Sequence, residues 1–157
     1  MQAVAERVGV RAPSLYKRIS GRPALITALA DDAAAQLAQA VAPALREQDP
    51  EEAVRVMADR YRAFGHGSPA AYALLFANLL PESNPSPRAN ADAAAGLLQI
   101  TERLVGPDQA LEAARLLVAF AHGFVGMESA GAFRLGGDVD AAFAFGVEAI
   151  IRGLATA

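Results

Sequence analysis

Basic side chains are concentrated at the start of the chain, where they could bind phosphate. The first 22 residues hold five of them against one acidic residue, a net charge of +4: Arg7, Arg11, Lys17, Arg18 and Arg22. The rest of the 157-residue chain holds nine basic and 16 acidic side chains, so the net charge of the whole is −3. Because cations displace the condensed counterions of DNA, this local excess favours a nucleic-acid contact although the chain as a whole is acidic.

The two histidines are the side chains that could act as general bases or metal ligands near neutral pH. His122 shares a predicted helix with Glu128, but no cysteine, no second histidine at ligand spacing and no Ser-His-Asp set accompanies it. We therefore predict no catalytic residue, no metal site and no cofactor, and interpret His122 as a packing or pocket residue. His66 is predicted to interact with the last carbonyls of a helix.

The basic segment has the hydrophobic spacing of a helix-turn-helix. Val4, Ala5 and Val8 recur at helical spacing, Gly9 follows where a left-handed residue ends a helix, and a second short helix runs through Leu15. Such a corner can hold a helix out to enter the major groove. The alternative is an ordinary helical hairpin with a solvated polar face.

The runs VAERVGV (4–10), APSLYKRI (12–19) and GRPAL (21–25) closely resemble the DNA-binding domain of TetR-type transcriptional regulators. The resemblance implies that the recognition helix starts near Arg11, that Tyr16 touches the DNA backbone, and that Arg22 opens the next helix and contacts phosphate. Three positions depart from the family: Arg11 replaces a Ser or Thr cap, Ile19 a Phe, and Arg22 a Lys. The implied DNA-binding residues are Arg11, Ala12, Pro13, Ser14, Tyr16, Lys17, Arg18 and Arg22.

TetR-type domains carry a further helix before the helix-turn-helix, and this sequence begins at the helix-turn-helix itself. We therefore expect a truncated DNA-binding domain over residues 1–30 and a helical ligand-binding and dimerisation domain over residues 31–157. An exposed apolar face on the first two helices would follow. A fragment, a start assigned too late and a lost helix all remain open as explanations.

Composition predicts an all-α protein, because 54% of the residues are hydrophobic and alanine is abundant. The absence of cysteine excludes a disulfide scaffold. Without a signal peptide or an uninterrupted apolar run of membrane-spanning length, the expectation is a cytoplasmic protein with no membrane partner.

The positions of Pro, Gly and capping residues predict the helices of residues 31–157, which are called the body below. Residues 1–30 are called the head. A helix from Arg22 to about Gln48, kinked or ended at Pro43, is interpreted as the element that transmits ligand binding to the head. The other predicted helices cover about 49–64, 72–80, 88–105, 107–133 and a final segment capped by Asp138, with a loop at 81–87.

The run AFAHGFVGME (119–128), with GDVDAAF (137–143), is similar to the C-terminal domain of the TetR-type group named for a Trp-His-Gly pattern. The His-Gly pair is His122-Gly123, and Val118 stands where Trp is expected. Both final helices are apolar on more than one face, which favours a four-helix dimer interface. The predicted interface residues are Leu117, Val118, Ala121, Val125, Phe143, Val147, Ile150, Ile151 and Leu154.

Aromatic and flexible side chains of the middle helices could line a ligand cavity, with His122 or Asn78 as polar groups. The candidates are Tyr61, Phe64, Tyr72, Phe76, Phe120, His122, Phe124 and Met127. Together these patterns predict a homodimeric TetR-type repressor that binds a palindromic operator and is released by a small apolar ligand. A ligand-binding module without DNA binding and a small helical enzyme are the alternatives.

Overall fold

The computed structural model describes residues 1–76 and 84–156, without the side chain of Ala12. All regular structure in these residues is helical, which confirms the predicted all-α class. Asn78, Leu79, Leu80 and residues 81–83 of the predicted loop lie outside the described residues. The helices are α1 Gln2–Arg7, α2 Ala12–Tyr16, α3 Arg22–Val41, a 3₁₀ helix Ala42–Arg46, α4 Pro50–Gly67, α5 Pro69–Phe76, α6 Pro87–Val105, α7 Ala110–Ser129 and α8 Val139–Leu154.

Helices α1 and α2 form the predicted corner. Gly9 has a φ of 71°, the left-handed conformation that glycine adopts without Cβ strain. Pro13 lies in the first turn of α2, and the N-cap Arg11 makes no side-chain capping bond. Ala5 is buried where the two helices meet, whereas Val4 and Val8 are exposed. An apolar face therefore remains on α1.

The long helix after the head is shorter than predicted. Helix α3 begins at Arg22 with Pro23 in its first turn, and it ends at Val41 instead of continuing to Gln48. Pro43 lies in the first turn of the 3₁₀ helix that follows. The prediction that Pro43 ends the helix is thus confirmed, because proline cannot donate the hydrogen bond that would continue α3.

Capping residues define the starts of three body helices. The Asp49 carboxylate accepts from the Glu51 amide at 3.0 Å, and the Asp138 carboxylate accepts from the amides of Asp140 and Ala141. The Ser86 hydroxyl accepts from the Ala89 amide at the start of α6. The predicted start of α7 at Pro107 was wrong, because residues 107–109 form a turn and α7 begins at Ala110.

The core of the body surrounds α4, which packs against α3, α5, α6, α7 and α8. Two glycines allow close approach: a Cβ on Gly65 would lie 2.6 Å from Val125 Cγ1, and a Cβ on Gly146 would lie 2.3 Å from Phe120 Cζ. The largest fully buried side chains of the core are Phe143, Ile100, Leu117, Ile151, Val54, Val125 and Thr101.

Most of the side chains predicted for the dimer interface belong to this core. A partner cannot cover what a single chain already buries, so six of those assignments were wrong: Leu117, Ala121, Val125, Phe143, Val147 and Ile151. Val118, Ile150 and Leu154 are partly exposed. The sequence pattern identified the two apolar helices correctly, but it assigned their core-facing side to the dimer interface.

Helix α7 is long and apolar enough to cross a membrane by length and composition alone, with a mean hydropathy of 1.4. The sequence was expected to contain no such segment. Within the described ranges, α7 is the exception. One side of α7 lies in the core through Leu117, Ala121 and Val125, and Glu128 pairs with Arg62 of α4. We therefore interpret α7 as a core helix of the bundle.

Candidate functional site

The predicted DNA-contacting side chains are exposed on α2 and at the start of α3. Arg11, Pro13, Ser14, Lys17, Arg18 and Arg22 are all exposed, and 54% of the Tyr16 surface is accessible. The side chain of Ala12 lies outside the description. Leu15 and Ile19 are half-buried beneath them. The turn geometry therefore presents the polar side of α2 outward.

The cations of this surface form no ion pair within the described part of the chain. Among the residues that the structure describes, none forms an ion pair with Arg11, Lys17, Arg18 or Arg22. An unpaired guanidinium keeps its donors available for a phosphate oxygen. The segment thus combines exposure, positive charge and a short protruding helix.

An apolar cavity of about 230 Å³ lies in the body between α3, α4, α5, α6 and α7, and is called the central cavity below. Helix α3 contributes Ala34, Leu37 and Val41 to its wall. The remaining lining residues come from the other four helices: Met57, Tyr61, Leu75, Phe76, Asn90, Ala93, Ala94, Leu97 and Val118. An apolar concave wall with a few polar groups is typical of a site for a small molecule.

A second cavity of about 350 Å³, called the side cavity, shares four of these lining residues: Phe76, Ala94, Leu97 and Val118. It extends along α6 and α7 to Arg115 and His122. His122 also lines a third cavity, with Tyr72 and Gly126. Phe76 therefore stands where all three spaces adjoin.

The polar groups of this region form one cluster. Tyr72 Oη lies 2.7 Å from His122 Nδ1, and Tyr61 Oη lies 3.5 Å from Tyr72 Oη. The Phe76 ring packs on the imidazole with ring centroids 4.0 Å apart. Burial raises the pKa of both tyrosines, so both stay protonated phenols.

Half of the predicted pocket residues line these cavities, namely Tyr61, Tyr72, Phe76 and His122. The other four do not. Phe64 is buried in the core, Phe120 and Phe124 pack against Phe143 with centroids 5.5 and 5.0 Å away, and Met127 is exposed. Sequence reasoning missed the α3 wall, although the four-residue spacing of Leu37 and Val41 places both on one face of a helix.

Comparison with known families gives a match over the body. The profile described as "Tetracyclin repressor-like, C-terminal domain" matches residues 54–150, more than half of the chain. The chain belongs to this family. Family members of this kind are regulators, and the sequence resemblance of the C-terminal region to TetR-type proteins is confirmed. No curated protein matches the sequence significantly.

Solved structures share the fold. A protein of unknown function from Rhodococcus sp. RHA1 superposes with a TM-score of 0.78 at 22% identity, covering 98% of this chain and 84% of that one. SCO4313, which carries a provisional designation as a regulatory protein, gives a TM-score of 0.74 at 24% identity, covering 99% and 84%. Both alignments extend over the head as well as the TetR-like body.

One charged cluster of the TetR-like body is structural. Arg62 of α4 holds Glu128 of α7 through two nitrogens and also pairs with Asp140 of α8. His66 Nε2 lies 3.0 Å from Glu128 Oε2, so the prediction that His66 interacts with helix-end carbonyls was wrong. Arg62, chiefly through its hydrogen bonds, lowers the pKa of Glu128. The described residues contain no group of side chains able to hold a metal ion.

Helix α3 connects the head to the cavities of the TetR-like body. It begins at the exposed Arg22 and reaches the central cavity three turns later. The Asp31 carboxylate accepts from the Ser86 amide at 2.6 Å, which ties α3 to the first turn of α6. The predicted domain boundary at residue 30 therefore falls within a continuous helix.

Proposed function

We propose that the protein is a cytoplasmic, ligand-responsive DNA-binding regulator that acts as a repressor. In this proposal α2 enters the major groove of a palindromic operator, with Ser14 and Lys17 reading bases. Tyr16, Arg18 and Arg22 contact phosphates. All five side chains are exposed, and Lys17, Arg18 and Arg22 form no ion pair within the described residues. Both observations support the assignment.

A small apolar ligand in the central cavity releases the DNA. The observation that carries this mechanism is that α3, which starts with Arg22, also forms one wall of the cavity through Ala34, Leu37 and Val41. A ligand that favours one tilt of α3 shifts the population of head orientations. Two heads that no longer match the groove spacing lose operator affinity.

Dimerisation is the second part of the proposal, and an exposed uncharged stripe on α7 and α8 supports it. On α7 the stripe consists of Leu116, Ala119, Gly123 and Met127, and on α8 of Ala142, Phe145, Ala149 and Gly153. All eight positions are exposed in the single chain. Both helices repeat the spacing 3, 4, 4, and neither stripe carries a charge, which suits a two-fold helical interface.

The test is fluorescence anisotropy with labelled fragments from the protein's own promoter region, with and without apolar ligands. We expect salt-sensitive binding to a palindrome at a stoichiometry of two chains, lost when ligand is added. Analytical ultracentrifugation of Phe145→Arg, in which a charge enters the stripe, should give monomers. Complete absence of fragment binding at low salt would contradict the repressor assignment.

A second candidate is a TetR-like ligand-binding module that does not bind DNA. The observation in its favour is that, among the described side chains of α1 and α2, only Ala5 is buried. A loosely packed head would hold α2 poorly. In that case ligand binding to the body would persist while fragments of every sequence fail to bind.

A further inference from the structure

The hydrogen-bond cluster beside the cavities determines which polar group a ligand can present there. Tyr72 Oη and His122 Nδ1 are 2.7 Å apart. This distance is short for a bond donated by an N–H group, for which about 2.9–3.0 Å is usual, and ordinary for one donated by a hydroxyl. A phenol is also a stronger acid than a neutral imidazole. Tyr72 therefore donates its single proton to His122 Nδ1, and the longer contact between the two phenols, at 3.5 Å, is donated by the Tyr61 hydroxyl.

That direction defines the state of the imidazole. A neutral ring that accepts at Nδ1 carries its proton at Nε2 and can only donate from that atom. Burial raises the pKa of Tyr72, against a smaller opposing effect from the Tyr61 hydroxyl, so the phenol proton stays in place. The tautomer is thus set by the protein before any ligand arrives.

His122 Nε2 has no hydrogen-bond partner within residues 1–76 and 84–156. The ring lines the side cavity, which adjoins the central cavity along Phe76 and Val118. A molecule that fills the central cavity and extends past Val118 reaches the ring. There it would meet this N–H donor. The other polar side chains among the described lining residues are Tyr61 and Asn90 in the central cavity and Arg115 in the side cavity.

The charge of the walls excludes an anionic head group from the inner part of this space. Among the described lining residues, no lysine or arginine lines the central cavity, and Arg115 lines the side cavity alone, where it is exposed. A carboxylate placed against Phe76 and Val118 would lose its hydration without gaining a cation, which is costly. A neutral acceptor loses much less.

We propose that the cavities bind neutral, apolar molecules of about two fused rings in size that carry one hydrogen-bond acceptor, such as a ketone carbonyl, which receives the Nε2–H of His122. The size follows from the central volume of about 230 Å³, compared with roughly 150 Å³ for a protein cavity that takes up benzene. The inference rests on the proposed ligand-binding function and specifies the ligand class for that site. Tyr72 acts as a positioning residue that sets the tautomer.

The test compares two probes of the same shape by isothermal titration calorimetry of the full chain. 2-Acetylnaphthalene carries a carbonyl, and 2-isopropenylnaphthalene replaces its oxygen by a CH₂ group. We expect the ketone to bind about fivefold to tenfold more tightly, as one hydrogen bond in a desolvated site provides. His122→Phe should bring the ratio to one while leaving the affinity for the hydrocarbon nearly unchanged.

Two further variants separate positioning from packing. Tyr72→Phe keeps the aromatic ring at position 72 but removes the donor to His122 Nδ1. The imidazole proton then distributes over both nitrogens, so the preference for the ketone should fall to about twofold or threefold. His66→Phe alters the histidine that pairs with Glu128 outside the cavities, and the preference should stay at its full value. Thermal unfolding of each variant checks that the fold is retained.

Equal affinities of the wild-type chain for the two probes would overturn the inference, as would tighter binding of 2-naphthoate than of the ketone, or binding of neither neutral probe. None of these outcomes bears on operator binding, which anisotropy measures separately. Conversely, a chain that never binds operator fragments but prefers the ketone would contradict the proposed function and leave this inference standing.

Discussion

Three arginines of the head and two of the body are used in opposite ways. Arg11, Arg18 and Arg22 are exposed and lack ion partners within the described part of the chain. In the body, Arg55 binds Glu148 and Glu51, and Arg62 binds Glu128 and stacks on the Phe143 ring at 4.9 Å. The same residue type therefore joins helices in one region and leaves its donors free for a partner in the other.

This contrast indicates where stability and recognition reside. Substitutions in the body should change the free energy of unfolding, whereas substitutions in the head should change the affinity for DNA and leave unfolding almost unaffected. Helix α3 belongs to both regions and should show both effects weakly.

The largest effect is expected in the core, at Phe143. This side chain is 1% exposed, whereas Phe145, two residues later on α8, is 70% exposed. Phe143→Ala leaves a cavity beside Phe120 and Phe124 and should lower the free energy of unfolding by about 4 kcal/mol in urea titrations. Phe145→Ala is the matched control. It should reduce dimer affinity while, at concentrations where the chain is monomeric, unfolding changes by less than about 0.5 kcal/mol.

A smaller loss is expected when the body loses the part-buried carboxylate of Glu128. Glu128→Gln removes the charge that Arg62 and His66 share and should cost about 2 kcal/mol of stability at pH 7. Glu148→Gln is the control, because its partner Arg55 is more exposed than Arg62 and its loss should be well below half as large. Equal losses would contradict the ranking of the two ion pairs.

The pH dependence of unfolding should reveal the same carboxylate. Its hydrogen bonds with Arg62 hold the pKa of Glu128 below the ordinary value of 4.5. The stabilisation is therefore complete above the unfolded pKa and is lost as the pH falls through the folded pKa. Urea titrations from pH 7 to pH 3 should show wild type and Glu128→Gln converging in the acid range, since both then carry a neutral group at this position.

The ends of several helices could be predicted from the sequence because each depends on residues within a few positions of it. Gly9 ends α1, Pro43 ends α3, and Asp49 and Asp138 cap α4 and α8, each through its own backbone or side-chain bonds. Nothing beyond a few neighbouring residues is needed for these assignments.

The orientation of α7 and α8 could not be predicted in the same way. Leu117 is buried and Leu116 is exposed, yet both are apolar and adjacent, so periodicity does not separate an inward face from an outward one. The deciding contacts are tertiary, such as the approach of Gly146 to Phe120. For the same reason the cavity wall was only half identified, because Leu37 of α3 and Val118 of α7 meet only in the folded chain.

In the head, a moderate effect on DNA affinity is expected with no effect on folding. Arg22→Ala should weaken operator binding about tenfold at low salt and reduce the slope of log K against log salt by about 0.9, the value for one phosphate contact. Arg46→Ala removes an exposed arginine that ends the 3₁₀ helix of the body and should change neither quantity. An unchanged slope in Arg22→Ala would remove this residue from the phosphate contacts.

The smallest effect is expected where the two regions are joined. Asp31→Ala removes the acceptor of the Ser86 amide and should cost about 1 kcal/mol of stability, because the amide at the start of α6 can bond to water instead. Its neighbour provides the control. The Asp32 carboxylate accepts from Gln36 on the surface of α3, its one side-chain bond within the described residues, so Asp32→Ala should cost a few tenths of a kcal/mol.

The two variants should differ more in coupling than in stability. If the Asp31–Ser86 bond makes α3 follow α6, Asp31→Ala retains operator affinity and ligand affinity but reduces the factor by which ligand weakens DNA binding, by about threefold to fivefold. Asp32→Ala should keep the full factor. Anisotropy titrations with and without saturating ligand measure both factors, and identical coupling in the two variants would show that α3 responds through its cavity wall alone.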